Sequence, residues 1–211
     1  MRVGIVVEGD GDKPAARVIL GRLPGLYEDL AQVHVGDVYN ALGRGNLTTT
    51  DGIESFFRLA APGHDAVLVL LDADRDCPLT LAVDLAARMK ACGLSIPAAV
   101  VCAKQAFEAW FLADLESVRD RTVKGRVLLR PTAEVQESPE LIIDPKARFG
   151  DLLMPREYYK ESRDQPALAG LIDLRRVEDQ CRSFRRLLSG IRDLQEAVAS
   201  GTDTVTPTIP A

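Results

Sequence analysis

Three features are scarce in this 211-residue chain, and each scarcity excludes a class of protein. No apolar run approaches the roughly 20 residues that a transmembrane helix requires, and the N-terminus lacks a signal-peptide core, so we expect a cytoplasmic protein without membrane contact. The two histidines and four widely spaced cysteines include no C-x-x-C pair, which argues against a zinc site of nitrogen and sulfur ligands. We expect the cysteines to be reduced thiols.

The charge of the chain is unevenly distributed. A net charge of −5 argues against nucleic-acid binding by a uniformly basic surface. Residues 1–112 carry 10 Lys and Arg against 14 Asp and Glu, whereas residues 146–192 carry 11 against 7. This division suits a metal site beside a track for a polyanion, but charge alone favours the simpler interpretation, a solvated helix that is rich in arginine.

The hydrophobic pattern of the first half alternates between strands and helices. Short apolar segments predict strands at 3–7, 32–38, 66–71 and 96–103, and the segments between and after them predict helices at 13–23, 52–61, 79–92 and 107–115. The segment at 66–71 contains no polar residue, which is typical of a strand covered on both faces. The pattern predicts an α/β fold with a mostly parallel sheet of about four strands flanked by helices.

The alternation stops after about residue 115. We therefore predict an α/β core over 1–115 and a C-terminal helical extension over 116–199 that packs on it. Loops and short elements begin this extension, and a helix over 171–198 follows. The Thr- and Pro-rich segment 200–211 has no periodicity and is predicted to be a disordered tail. The pattern makes no prediction for the structure of 116–157.

Acidic residues follow two of the predicted strands. Glu8 follows the first strand, and Asp72, Asp74 and Asp76 follow the third. Ligands of open α/β sheets bind outside the carboxyl ends of the strands, where these side chains would meet. Crowded carboxylates repel one another unless they are protonated or bind a cation, and oxygen ligands favour Mg²⁺ or Mn²⁺. The alternative is that they are solvated loop carboxylates that cap the following helices.

Two motifs carry a resemblance to the Toprim domain, which topoisomerases, bacterial primases, small ribosomal-RNA maturases and nucleases of the overcoming-lysogenization-defect (OLD) family share. They are VVEGDGD at 6–12 and LVLLDADRD at 68–76. Two further segments, KQAFEAWFLAD at 104–114 and YYKESRDQPALAGLIDL…CRSFRRLL at 158–188, resemble the Toprim-like bacterial family catalogued as domain of unknown function 4276. The resemblance implies a Toprim-like, or Rossmann-like, core.

The resemblance implies roles for five acidic residues. Glu8 matches the Toprim glutamate, a metal ligand or general acid/base, and Asp72 and Asp74 match the D-x-D metal ligands. Asp76 matches a third acidic position, and Glu108 matches an added acid that would hold a second ion. Two Mg²⁺ or Mn²⁺ ions about 4 Å apart would activate water and stabilise the leaving oxygen of a phosphodiester.

The resemblance also gives roles to basic residues. Lys160 is a candidate for the catalytic lysine that OLD-type nucleases place near the scissile phosphate, with an ordinary surface lysine as the alternative. Arg182, Arg185 and Arg186 are candidates for contacts with the nucleic-acid backbone.

We predict a Mg²⁺- or Mn²⁺-dependent endonuclease that hydrolyses phosphodiester bonds of DNA, with RNA as the less favoured substrate. The resemblance implies a role in phage defence or mobile elements and a partner ATPase. This chain has no G-x-x-x-x-G-K-[ST] motif, so we expect any nucleotide hydrolysis to come from another protein. One alternative is a non-catalytic Toprim-like subunit that binds nucleic acid or an ATPase. Another is a phosphatase with Asp72 as nucleophile, which leaves Glu8 unexplained. The sequence leaves open whether the chain forms homo-oligomers.

Overall fold

A computed structural model describes residues 1–208. The strands of the described residues are β1 (Arg2–Val7), β2 (His34–Asn40), β3 (Ala66–Asp72), β4 (Ala98–Ala103), β5 (Thr122–Val123), β6 (Arg126–Val127) and β7 (Val205–Thr206). Five of them form a parallel sheet in the order β2-β1-β3-β4-β7. Strands β5 and β6 form a separate antiparallel hairpin. The predicted α/β fold with a parallel sheet is confirmed.

Helices cover both faces of the sheet. They are α1 (Asp12–Leu26), α2 (Gly45–Thr48), α3 (Gly52–Ala60), α4 (Pro78–Ala91), α5 (Glu108–Leu112), α6 (Leu115–Val118), α7 (Pro145–Asp151), α8 (Glu161–Leu171), α9 (Leu174–Gln180) and α10 (Arg182–Ser200). Short 3₁₀ turns occupy Glu28–Leu30 and Pro139–Leu141. No helix in residues 1–208 is long and apolar enough to cross a bilayer.

The C-terminal extension supplies much of one covering layer of the sheet. Side chains of β1, β3 and β4 that point to one face, such as Ile5, Leu68 and Val101, share a continuous hydrophobic cluster with α1, α5 and α7 to α10. Side chains on the opposite face pack with α3 and α4 in a second cluster. Because the first cluster runs through residues before and after 115, the extension and the core bury one shared apolar interior.

The predicted helix over 171–198 is wrong in two respects, because extended residues at Ile172 and at Cys181 interrupt it and separate α8, α9 and α10. The carboxylate of Glu140 accepts hydrogen bonds from the backbone N–H groups of Arg182 and Ser183, each at 2.8 Å. These N–H groups at the start of a helix have no partner within the helix, so a carboxylate there stabilises a new start. The partner is about forty positions away in sequence, and the local apolar spacing does not reveal it.

The prediction that 200–211 is disordered is also wrong for the residues that the structure describes. Val205 and Thr206 pair with Ala98 and Ala99 as the edge strand β7. The Ala98 N–H donates to the Thr204 carbonyl at 2.9 Å, which satisfies an otherwise open backbone donor of β4. A two-residue strand is too short to leave a periodic signal. The rest of this predicted tail, 209–211, lies outside the described residues.

We expect Gly11→Ala to lower the free energy of unfolding by about 1–3 kcal/mol, the usual effect of overpacking. A Cβ atom at Gly11 would lie 2.5 Å from Gln165 Oε1 and 2.8 Å from the Cβ of Glu161, where α8 packs on the start of α1. Gly21 in α1 has no such neighbour, so Gly21→Ala is the control and should raise stability by about 0.5–1 kcal/mol. Urea unfolding measures both, and equal effects would contradict the packing described here.

Candidate functional site

An acidic cleft of about 570 Å³ lies at the carboxyl edge of the sheet. All five acidic residues predicted as metal ligands line it, namely Glu8, Asp72, Asp74, Asp76 and Glu108. They converge because β1 ends just before Glu8, β3 ends at Asp72, and α5 begins with Glu108 soon after the end of β4. The structure thus brings together the acids that the sequence predicts, whereas their roles remain predictions.

Backbone hydrogen bonds hold the acidic loops in place. The Asp72 N–H donates to Glu8 Oε2 at 3.3 Å, and the Phe107 N–H donates to Asp72 Oδ1 at 3.0 Å. The Asp74 N–H donates to the Gln105 carbonyl at 2.7 Å, and both residues have positive φ angles, +48° and +63°. The loops that follow β1, β3 and β4 are therefore tied to one another at the floor of the cleft.

Glu108 differs from the other buried carboxylates of the described chain. Asp114 accepts the Asp173 N–H and lies near Arg176, and Asp164 accepts hydrogen bonds from the guanidinium groups of two arginines. Glu108 is only 2% exposed, yet its partners are neutral. The Tyr159 hydroxyl donates to it at 2.8 Å and Gln165 Nε2 at 3.4 Å. Burying a carboxylate without a cationic partner lowers the free energy of unfolding. Carboxylates in such a setting are typical of functional sites.

Three further acids of the cleft share this lack of a cationic partner. Within residues 1–208, Glu8, Asp12, Asp72 and Glu108 form no ion pair with any Lys, Arg or His. Burial raises the pKa of each of these carboxyl groups above its ordinary value. For Asp72, repulsion from the other three groups and from Asp74 raises the pKa further. The cluster therefore favours protons or a bound cation.

Arg44 balances the remaining two acids predicted from the sequence. Its guanidinium donates to Asp74 Oδ2 at 2.9 Å, to Asp76 and to the Ala73 carbonyl. Arg44 lies in the loop after β2, beside two positive-φ residues, Leu42 and Gly43. The positive charge of the Arg44 side chain therefore neutralises Asp74 and Asp76 in part.

The donor chemistry of the cleft fits a hard divalent cation, although the side chains do not form a finished binding site. Among the described residues, no three His, Cys, Asp or Glu side chains have the geometry to hold a metal ion. The acidic residues of the cleft are all Asp or Glu, and carboxylate oxygens are the ligands that Mg²⁺ and Mn²⁺ prefer. Gln165, 2% exposed, adds a buried Oε1 acceptor without a hydrogen-bond donor. Glu8, Asp12 and Asp72 are the lining carboxylates that could hold such a cation.

The sequence interpretation missed several residues that line the cleft. They are Asp12, Arg44, Arg75, Gln105, Asp144, Lys146, Glu161 and Gln165. Two signals were available: Asp12 ends the motif at 6–12, and Glu161 and Gln165 stand four apart on one helical face within the motif that begins at 158. Arg44 gave no signal, because only the fold brings the loop after β2 to β3.

The predicted basic residues lie outside this cleft. Lys160 precedes α8, where its backbone N–H donates to Asp164, and the lysine that lines the cleft is Lys146, paired with Glu161. Arg185 donates to the carbonyls of Glu178 and Asp179 at the end of α9.

The other two arginines of α10 have a different setting. Arg182 and Arg186 line a second cavity. Arg186 also pairs with Asp193 at 3.2 Å. None of the three arginines predicted to bind nucleic acid therefore contacts the acidic cluster in the described structure.

We expect Asp72→Asn to raise the free energy of unfolding by about 1 kcal/mol at about pH 7.5 in EDTA. Because the pKa of Asp72 is raised on folding, its contribution to stability is complete below the unfolded-state pKa and is lost as the pH rises through the folded-state pKa. The gain in the variant should therefore shrink towards about pH 4. Urea unfolding across this pH range measures it.

The control is Asp164→Asn. Burial raises the pKa of Asp164, but hydrogen bonds from Arg163 and the Lys160 N–H outweigh it and leave the pKa below its ordinary value. The contribution of Asp164 to stability is therefore complete above its unfolded-state pKa and is lost as the pH falls through its folded-state pKa. Asp164→Asn should accordingly lower the free energy of unfolding at neutral pH. Equal signs for the two variants would contradict the electrostatic contrast.

Comparisons with known proteins give one match. No curated protein and no solved structure resembles the chain closely enough to be informative. The model of the family described as "Domain of unknown function (DUF4276)" matches residues 7–192, a span that includes the cleft and nearly all of the C-terminal extension. The chain therefore belongs to the DUF4276 family.

Proposed function

We propose that this protein is a Mg²⁺- or Mn²⁺-dependent nuclease that hydrolyses phosphodiester bonds of nucleic acid, DNA in the first place. One observation carries the proposal: four carboxyl groups without cationic partners meet in a cleft at the carboxyl edge of a parallel sheet. Arg75 and Lys146 also line the cleft. Lys146 pairs with Glu161, whereas Arg75 forms no ion pair within residues 1–208 and would attract a polyanion. Acids at the centre and cations beside them suit a metal-assisted reaction on phosphate.

The residues of the cleft have separable roles in this proposal. A bound divalent cation would supply a Lewis acid and a more acidic water molecule. Glu8, Asp12 and Asp72 would hold it. Each of these three carboxylates accepts a hydrogen bond from a backbone N–H group, which orients it. Glu108, which accepts a hydrogen bond from the Tyr159 hydroxyl, would accept a proton from the attacking water, since burial raises its pKa above the ordinary value and makes it a better proton acceptor.

A Toprim-like relationship is part of the proposal. The two motifs that resemble Toprim, at 6–12 and 68–76, contribute adjacent walls of the same cleft. A partner ATPase and a role in phage defence are proposed on this relationship alone. Lys160 fits it poorly, because Lys146 lines the cleft instead.

One observation favours the second candidate function, a non-catalytic subunit that binds nucleic acid or an ATPase. Arg44 already neutralises Asp74 and Asp76, as a lost metal site would permit. The two candidate functions differ in whether activity requires Asp72. A subunit that only binds its partner does not need a buried carboxylate without a cationic partner.

We expect Asp72→Asn to reduce Mn²⁺-dependent cleavage of fluorescent single-stranded and duplex DNA by about 100-fold, the usual cost of losing a group that holds a metal. Asp84→Asn on the exposed face of α4 is the matched control and should cleave as the wild type does. Cleavage that survives in Asp72→Asn would refute the nuclease. The phosphomonoester p-nitrophenyl phosphate, tested alongside, should not be hydrolysed, whereas the phosphatase alternative requires that it is.

We expect Arg44→Gln to tighten Mn²⁺ binding about 2- to 10-fold beyond the effect of Arg75→Gln. Both variants remove one positive charge from the cleft, but only Arg44 holds Asp74 and Asp76, and partly exposed ion pairs contribute about 0.2–1 kcal/mol each. Titration calorimetry with MnCl₂ measures both affinities. Equal effects would show that Arg44 acts through its charge alone and does not compete with the cation.

A further inference from the structure

A second cavity of about 570 Å³ adjoins the acidic cleft on the side of β4 and α10. Two consecutive residues line the two spaces, because Asp76 lines the cleft and Cys77 lines the cavity. Apolar side chains such as Leu79, Val100 and Leu141 form much of its wall. Leu79 and Leu141 are 60% and 75% exposed, so part of this apolar wall is open to solvent.

The cavity is also positively charged. Lys104, Arg182 and Arg186 line it, and Glu140 is the single acid among the described lining residues. The Glu140 carboxylate already accepts the N–H groups of Arg182 and Ser183. Arg186 pairs with Asp193, whereas the side chains of Lys104 and Arg182 form no ion pair or hydrogen bond within residues 1–208. Two free cations therefore stand beside an apolar wall.

We propose that this cavity binds one unpaired nucleotide next to the scissile phosphate, so that the substrate is single-stranded nucleic acid or a frayed end. This inference rests on the proposed nuclease function. A nucleotide joins an apolar, planar base to an anionic phosphate, and the cavity offers a matching surface for each part. The volume lies within the usual range of sites for small organic ligands.

The pairing state of the substrate follows from the shape of the cavity. A base reaches a concave site only after it has left the helical stack, which is costly in a duplex and cheap in a single strand. The phosphates on either side of the base would lie at Lys104 and Arg182, and the chain would continue past Asp76 into the cleft. Phosphate contacts of this kind position a strand without reading its sequence.

Binding is measured by fluorescence anisotropy with a labelled oligothymidylate in EDTA, using Asp72→Asn so that no cleavage takes place. We expect binding about fivefold or more tighter than that of an abasic oligomer of the same length, because the abasic strand keeps the phosphates and lacks the base. A duplex of the same length should bind more weakly than the single strand. Leu79→Ser should remove the preference for the strand with bases.

The charge contribution is tested by Lys104→Gln and Arg182→Gln, compared with Arg192→Gln. Arg192 stands on the same helix as Arg182, but its guanidinium is bound to Asp29 and does not line the cavity. Each of the first two variants should weaken binding of the oligomer about 3- to 10-fold at low salt, and the control should change it little. Equal losses in all three variants would overturn the subsite, as would equal binding of the abasic strand.

Cys77 gives an independent readout, because it lines the cavity and its thiol is exposed. The oligothymidylate should slow the reaction of Cys77 with a thiol reagent and leave Cys92 unaffected, whereas unchanged reactivity of Cys77 would contradict the proposal. The outcomes separate the two claims. Protection of Cys77 without metal-dependent cleavage by the wild type would refute the nuclease function and support the nucleotide-binding site. Metal-dependent cleavage without protection of Cys77 would support the nuclease function and refute the binding site.

Discussion

Repulsion among four carboxyl groups at the carboxyl edge of the sheet is the constraint on which the account of this protein depends. Glu8, Asp12, Asp72 and Glu108 are drawn together by strand ends and helix starts and receive neutral hydrogen bonds, yet no Lys or Arg of the described chain pairs with them. Burial raises the pKa of all four. Such an arrangement destabilises the fold at neutral pH, and in our proposal a bound cation offsets this cost.

The C-terminal extension makes the cluster possible. Helix α8 packs against α1 where Gly11 allows close approach, and it carries Glu161 and Gln165 to the cleft while Tyr159 reaches Glu108. Two carboxylates elsewhere, Asp114 and Asp164, show that the same chain also neutralises buried acids with arginine. The difference between these acids and the cleft is therefore a property of the site and not of the protein as a whole.

The local pattern predicts four of the five strands of the sheet and the acids at the centre of the site. The apolar runs at 3–7 and 66–71 are strands β1 and β3, and since parallel strands end at one edge, the acids that follow them had to meet. Features held by distant partners escaped prediction. Arg44 reaches Asp74 across the sheet, Glu140 starts α10, and β7 completes β4, and each depends on a contact between segments far apart in sequence.

The central claim is that the unpaired carboxyl cluster binds a divalent cation, and thermal unfolding in a MnCl₂ titration tests it most directly. A cation at 100 times its dissociation constant stabilises the native state by about 2.7 kcal/mol, a rise of about 5–10 °C for a chain of this size. The account predicts this rise for the wild type and for Asp84→Asn, and its loss in Asp72→Asn. No rise in the wild type, or an equal rise in Asp72→Asn, would contradict it.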